Sequence, residues 1–333
     1  MLNIKAIYLT LILTLFCGHQ VRLQASPKIL VIQSYHRGYE WDRDYILGIN
    51  EVLGSSYELK YFEMDTKRLD PSKYQEQADK AWSFYKQEKP DLVISGDDNA
   101  LKFLAPKYQT VTTPVVYLGI NNNPRYYLKG SPNNITGVLE RPLLFRSILT
   151  LKKIFTKKMN KIMILMDSGT TSKAIFNETF RDKNKMLIDG VEVHIALIGE
   201  FSLWKKTLLS LKSRNFDAVI IGAFHTLKNE KGDHVPDYTV LEWSNKHTEI
   251  PPFAFWKHGI GKGRTIGGMI CHAIDQGKAA ANIAKQILEE KKKPTDFYPV
   301  NSDEGQLYFS RHELSRFKIT LPRDVINSSI MMD

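Results

Sequence analysis

The sequence predicts an α/β protein of two Rossmann-like lobes, each a parallel sheet flanked by helices, with a ligand cleft between them. Three observations predict it. Short apolar runs alternate with longer amphipathic stretches, the pattern of parallel strands joined by crossover helices. The alternation lapses in the Asn-, Pro- and Gly-rich stretch from Asn121 to Gly137 and then restarts. At 333 residues the chain is also too long for one ordinary core, given roughly 150 residues per domain.

The elements follow in order. KILVIQ (28–33) is a strand, and after Asp42, a good N-cap, Ile46, Ile49, Val52 and Leu53 recur at helical spacing until Gly54. ELKYFEM (58–64) is the second strand. Asp70-Pro71 opens a helix whose Tyr74, Ala78, Ala81, Trp82 and Tyr85 share one face. DLVISG (91–96) and PVVYLGI (114–120) complete the first set, and residues 121–137 read as the crossover to the second lobe. There a helix near 142–155 leads into strands KIMILM (161–166), VEVHIALI (191–198), FDAVIIG (216–222) and PPFAFW (251–256), with helices between. Strand TIGGMI (265–270) and an amphipathic helix, Gly277 to Glu290, are expected to return to the first lobe. The expected division is 27–122 with about 258–295 for the first lobe and about 138–257 for the second, leaving 296–333 unassigned.

The first 25 residues read as a secretory signal peptide, with Lys5 before an unbroken apolar run, Ala6 to Phe16, and a small residue, Ala25, at the cleavage position. The run is shorter than the ~20 residues of a membrane span. A lipoprotein signal using Cys17 is the rival, although Phe16 is large for that processing. Cleavage leaves Cys271 as the single cysteine, so no intramolecular disulfide is expected. The formal charge of +10 drops only by Lys5 and Arg22, and the remaining basic residues are scattered. Solvated helix faces explain them better than a nucleic-acid surface, and export argues against nucleic acid as a partner.

In open parallel sheets, ligands sit beyond the carboxyl ends of the strands. In the first lobe those ends carry SYHRGYEWD (34–42), SGDDN (95–99) and GINNN (119–123), each more polar and aromatic than turns require, and the corresponding ends in the second carry MDSGTTS (166–172), GAFH (222–225) and WKHG (256–259). Ser168, Thr170 and Thr171 stand where a strand gives way to a helix, and hydroxyls with free N–H groups there suit a carboxylate. Asp97, Asp98 and Asn99 suit an amine, though Asp97 or Asp98 equally suits the N-cap of a helix starting near Ala100. Asn121 and Asn122 fit either a ligand or the crossover turn. Tyr35, Trp41, Phe224 and Trp256 offer an apolar slot, and Ser34, His36 and His225 lie in the same zone.

Taken together, SYHRGYEWDRDYILGI, MDTKR (64–68), SGDDNALKFL, PVVYLGINN, NITGVLER (134–141) and GKAAANIAKQILEEKKKPTDFYPV (277–300) resemble the ABC-type solute-binding proteins of the group that includes tryptophan binders. The resemblance implies a type I periplasmic-binding-protein fold that clamps a small molecule between lobes, outside the cytoplasm, as a monomer serving a membrane permease. Similar SYH and DDNAL stretches also occur in the sensing parts of membrane histidine kinases, which implies a receptor for a sensor kinase as the alternative.

A hydrolase using Asp97, Asp98 and a nearby His is a further alternative, but there is no GxSxG elbow, and adjacent Asp side chains tend to point apart. Neither GxGxxG nor GxxxxGK[ST] occurs, so no nucleotide cofactor is expected, and the nine histidines contain no HExxH, so no metal is expected. No catalytic residue is therefore assigned.

Overall fold

The computed structural model describes residues 26–301 and 305–333. The expected signal peptide, with Cys17, lies outside them. From the first strand the order is β1 (Lys28–Gln33), α1 (Glu40–Leu53), β2 (Glu58–Glu63), α2 (Tyr74–Glu88), β3 (Leu92–Gly96), α3 (Asp97–Tyr108), β4 (Val115–Ile120) and β5 (Ile135–Leu139). The second lobe runs α4 (Leu144–Ile154), β6 (Lys161–Asp167), α5 (Thr170–Phe180), β7 (Lys185–Ile188), β8 (Val191–Ile198), α6 (Phe201–Ser210), β9 (Ala218–Ile221), α7 (Asp237–His247), β10 (Pro252–Ala254) and β11 (Gly267–Cys271). The chain then forms α8 (Ala273–Glu289), β12 (Val300–Asn301), β13 (Gly305–Ser310), α9 (Arg311–Arg316), α10 (Arg323–Asn327) and β14 (Ser329–Met332).

The first sheet has the order β12-β5-β4-β3-β1-β2 and is parallel throughout. Its inner strands read as continuous apolar runs because helices cover both faces, and β3 and β4 are buried along their whole length. The second sheet, β10-β9-β6-β8-β7, is parallel except for the β7–β8 hairpin at its edge. This is the two-lobed α/β architecture expected from the alternation of strand and helix.

Helix α8 lies on α1, and two glycines set their distance. A Cβ on Gly48 would stand 2.1 Å from the Ile274 carbonyl oxygen, and one on Gly277 would stand 2.0 Å from the Tyr45 carbonyl oxygen. Around this contact Ile49, Leu53, Ala280, Ala281 and Ala284 are almost fully buried, and each large aliphatic side chain removed from water stabilises by ~1.5–3 kcal/mol.

Several sequence expectations shift. The expected crossover contains β5: Ile135–Leu139 pairs with β4, so the change of lobe falls at residues 140–143. Its Asn- and Pro-rich first part had masked a short strand. TIGGMI does not return to the first lobe. It pairs antiparallel with β13 in a separate sheet, β11-β13-β14, and docks on β10 through the Ile266 N–H to Pro252 O and Cys271 N–H to Phe255 O bonds. The chain re-enters the first lobe only at α8. The end of the chain packs on the second lobe: buried Glu313 of α9 accepts from Asn245 Nδ2 of α7 at 2.8 Å, and Lys153 of α4 pairs with Asp324 of α10. Local periodicity identifies a strand but not the sheet that will accept its hydrogen bonds.

Candidate ligand-binding site

Because β1, β3 and β4 are parallel, their carboxyl ends open on one edge, facing the ends of β6, β9 and β10 from the other lobe. The lobes touch there. Tyr35 Oη and Thr171 Oγ1 are 3.1 Å apart, and Lys228 pairs with Asp70 at 2.8 Å. Between the lobes lies a cavity of about 20 Å³ lined by Tyr35, Tyr39, Trp41, Lys67, Asp97, Glu140, Thr171, Ala223 and Trp256. That volume holds about one water-sized group. A wider cleft of about 1080 Å³, with Lys67, Ser168 and Thr170 on its wall, opens beside it.

The acidic pole of the cavity is Asp97. It follows β3 directly with φ +66°, a left-handed conformation that costs a non-glycine residue energy and is common at functional sites. Its Oδ1 accepts from Trp41 Nε1 at 3.1 Å, while Oδ2 is buried with no partner. Gly119 makes room for this pair, since a Cβ at its φ of +68° would stand 2.8 Å from Asp97 Oδ1. Glu140 is also buried, accepting from Trp256 Nε1 and from Asn121 Nδ2, each at 2.7 Å. Burial raises both carboxyls, Asp97 well above the usual range and Glu140 to about 7. Asp42, buried behind them and accepting from Gln33 Nε2, is raised by burial to about 8. It does not cap α1, which begins two residues earlier at Glu40.

The positive pole is Lys67, 8% exposed, its Nζ 4.4 Å from the Tyr35 ring centre and 5.4 Å from that of Tyr39. Such distances give cation–π attraction. The backbone holds Lys67 here: Met64, Asp65 and Thr66 donate N–H bonds to the carbonyls of Gln33, Tyr35 and Ser34. Tyr39 meets Tyr35 edge to face, with ring centres 5.3 Å apart, and completes the aromatic wall with Trp41 and Trp256.

Of the residues singled out from sequence, Tyr35, Trp41, Asp97, Thr171 and Trp256 line this cavity. Others are engaged elsewhere. Ser34 Oγ donates to Gly96 O and accepts from the Ala100 N–H, tying β1 to the first turn of α3. Asp98 is no helix cap; it accepts from the Asn121 and Asn122 N–H groups and from Tyr127 Oη, so it holds the loop after β4. Asn99 donates to Thr66 Oγ1, and Asn122 donates to Tyr127 Oη. Asn121 orients Glu140 rather than lining the cavity. Ser168 and Thr170 face the wide cleft. Phe224 stacks on His225 and belongs to the second-lobe core. His225 packs against Tyr39 and His258, its charged form disfavoured by burial, while His36 sits at the rim, half-buried. Among the described residues, no histidine bonds to Asp97 or Asp98.

Sequence reasoning missed Tyr39, Lys67 and Glu140. Each stood inside a quoted stretch, SYHRGYEWD, MDTKR or NITGVLER, but Lys and Glu normally face water, so only the fold shows that these two are buried. The start of α5 also differs from the expectation of a free anion site. Asp167 already sits there, accepting from the Gly169 and Thr226 N–H groups and from Ser172 Oγ.

The family described as ABC transporter substrate binding protein matches residues 57–331 of this chain. No curated protein matches it. Among solved structures, an ABC domain in complex with L-Trp from Streptococcus pneumonia is 17% identical with a TM-score of 0.68, over 92% of this chain and 99% of that one. The ligand-free, open structure of a Clostridium difficile substrate-binding protein with adhesive properties is 14% identical with a TM-score of 0.62, over 92% and 99% of the two chains. The complex of the TorS sensor domain with TorT, without ligand, is 14% identical with a TM-score of 0.52, over 92% and 97%. At these identities the likeness shows the fold, a two-lobed type I periplasmic-binding-protein architecture.

Proposed function

We infer the function from the premise that this chain belongs to the family of ABC transporter substrate-binding proteins: it captures an amino acid or related zwitterion between its lobes outside the cytoplasm and delivers it to a membrane permease. One observation carries this reading. Asp97 presents a buried carboxylate oxygen with no partner to an interlobe cavity walled by Tyr35, Tyr39, Trp41 and Trp256. An unpaired buried acceptor is costly, and a ligand ammonium relieves that cost while the rings enclose its apolar part.

The role needs no chemistry from the protein, only closure on the ligand. A thermal-shift screen of amino acids, purines, sugars and oligopeptides tests the reading. A ligand at ~100 times its dissociation constant stabilises by ~2.7 kcal/mol, and absence of a shift with every class would refute capture. Export is tested by N-terminal sequencing of the secreted protein, which is expected to begin near Ser26.

The likeness to a TorS–TorT complex motivates a second reading, delivery of the closed form to a membrane sensor. Co-purification with a permease supports the first reading, and with a histidine kinase the second.

A further inference from the structure

We infer that Lys67 and Asp97 hold the two charged ends of an α-amino acid, Asp97 Oδ2 receiving its ammonium and the Lys67 ammonium its carboxylate. This rests on the amino-acid reading above and places the carboxylate on the first lobe instead of at the start of α5.

The two side chains line one cavity, are 2% and 8% exposed, and are one acidic and one basic. Each has bonding capacity left over. Asp97 Oδ2 accepts no hydrogen bond, and among the described residues Lys67 Nζ has no carboxylate within ion-pair distance and no acceptor, only the faces of Tyr35 and Tyr39. A buried carboxyl oxygen left without a partner is costly, an ammonium that faces only aromatic rings and the wide cleft is free to pair, and a zwitterion serves both at once. A plain amine leaves Lys67 unpaired, and a plain acid leaves Asp97 unpaired.

The rival carboxylate site already has a carboxyl group beside it, which disfavours a second one. At the start of α5 the Asp167 carboxylate takes the Gly169 N–H, the Thr226 N–H and the Ser172 hydroxyl. Because the loop bearing Lys67 is bonded to Ser34 and Tyr35, and Asp97 is fixed by Trp41, both poles are preset on the first lobe. The ligand therefore docks on the first lobe, and the second closes over it through Thr171 and Trp256. The cavity of about 20 Å³ admits little more than a water, so the lobes part for entry.

The test titrates the wild-type protein with each proteinogenic L-amino acid by calorimetry, then with the decarboxylated amine and the deaminated acid corresponding to the tightest one. At least one amino acid is expected to bind, with both analogues at least ~10-fold weaker. Lys67→Met is expected to lower affinity for the amino acid to that for its amine while leaving amine affinity unchanged. Lys67→Arg, which keeps the charge, should restore the carboxylate preference. Asp97→Asn, whose side chain tolerates the same left-handed backbone, should lower affinity to that for the acid analogue. Thermal unfolding of the ligand-free variants reports that they fold.

An amino acid that binds Lys67→Met as well as wild type overturns the inference, as does an equal loss for amino acid and amine. If no amino acid binds but a sugar or purine does, the inference fails while capture of a solute stands. If nothing binds, both fail.

Discussion

Trp256 Nε1 donates to Glu140 Oε1 at 2.7 Å, fastening the end of β10 in the second lobe to the segment where the chain leaves the first. The bond lies at the interlobe cavity, and both residues line it. The bond thus joins the two lobes next to residues 140–143, where the chain crosses between them.

Trp256→Phe keeps an aromatic but smaller ring and removes the donor, leaving Glu140 Oε1 buried without its partner. Stability is expected to fall by ~1–3 kcal/mol, and affinity for the captured ligand to fall with it. Chemical denaturation beside calorimetric titration checks this, and an unchanged midpoint would show that the bond contributes nothing to stability.

Acidity should act on the empty protein in an unusual direction. Glu140 keeps its proton to about pH 7 in the fold against 4.5 ordinarily, and Asp42 to about 8 against 3.8. Between those values the folded chain binds more protons than the unfolded chain, so stability falls as pH rises. For Glu140 alone the change is on the order of 3 kcal/mol. Melting temperature measured from about pH 5 to about pH 8 should therefore decline, after allowance for screened surface charges. A steady rise over that window would mean that these carboxyls are ionised in the fold.

The same protons should compete with a cationic ligand. An ammonium beside Asp97 and Glu140 favours their charged forms, so ligand binding releases protons and tightens as pH rises through about 7. Calorimetry in two buffers of different ionisation enthalpy counts the protons released. Proton uptake on binding would contradict an ammonium at this pole.

Tyr35→Phe combined with Thr171→Val removes the hydroxyl pair, 3.1 Å apart, that joins the lobes over the cavity. The ligand-free protein is expected to open, with a larger radius of gyration in small-angle scattering than wild type, and saturating ligand should shrink both. A profile insensitive to ligand in both proteins would rule out a clamp.

Gly48→Val tests the helix contact that carries the first lobe. The added side chain meets the Ile274 carbonyl and must push α8 from α1, a repacking that costs ~1–3 kcal/mol or more. Its midpoint in denaturant should drop accordingly, while ligand stoichiometry in the folded fraction stays at one.

How much of this was legible beforehand differs between fold and site. Apolar runs such as LVISG and VVYLGI are buried along their whole length because parallel strands are covered on both faces, and that pattern survives in sequence. Partner choice does not, which is why β5 hid inside an Asn-rich stretch and β11 was expected in the wrong lobe.

The sequence by itself determined the alternation of strand and helix, the two lobes and the polar, aromatic strand ends, since each depends on residues near one another in the chain. Only the tertiary structure decided which side chains turn inward together. Lys67 and Asp97 are thirty positions apart, Glu140 and Trp256 farther still, and burial of a charge depends on what other segments cover it. Hydrogen-bond commitments decided the rest. Ser34 and Asp98 sit at the strand ends beside Tyr35 and Asp97, yet Ser34 bonds to the backbone and Asp98 to the backbone and Tyr127 Oη, and the neighbours alone face the cavity.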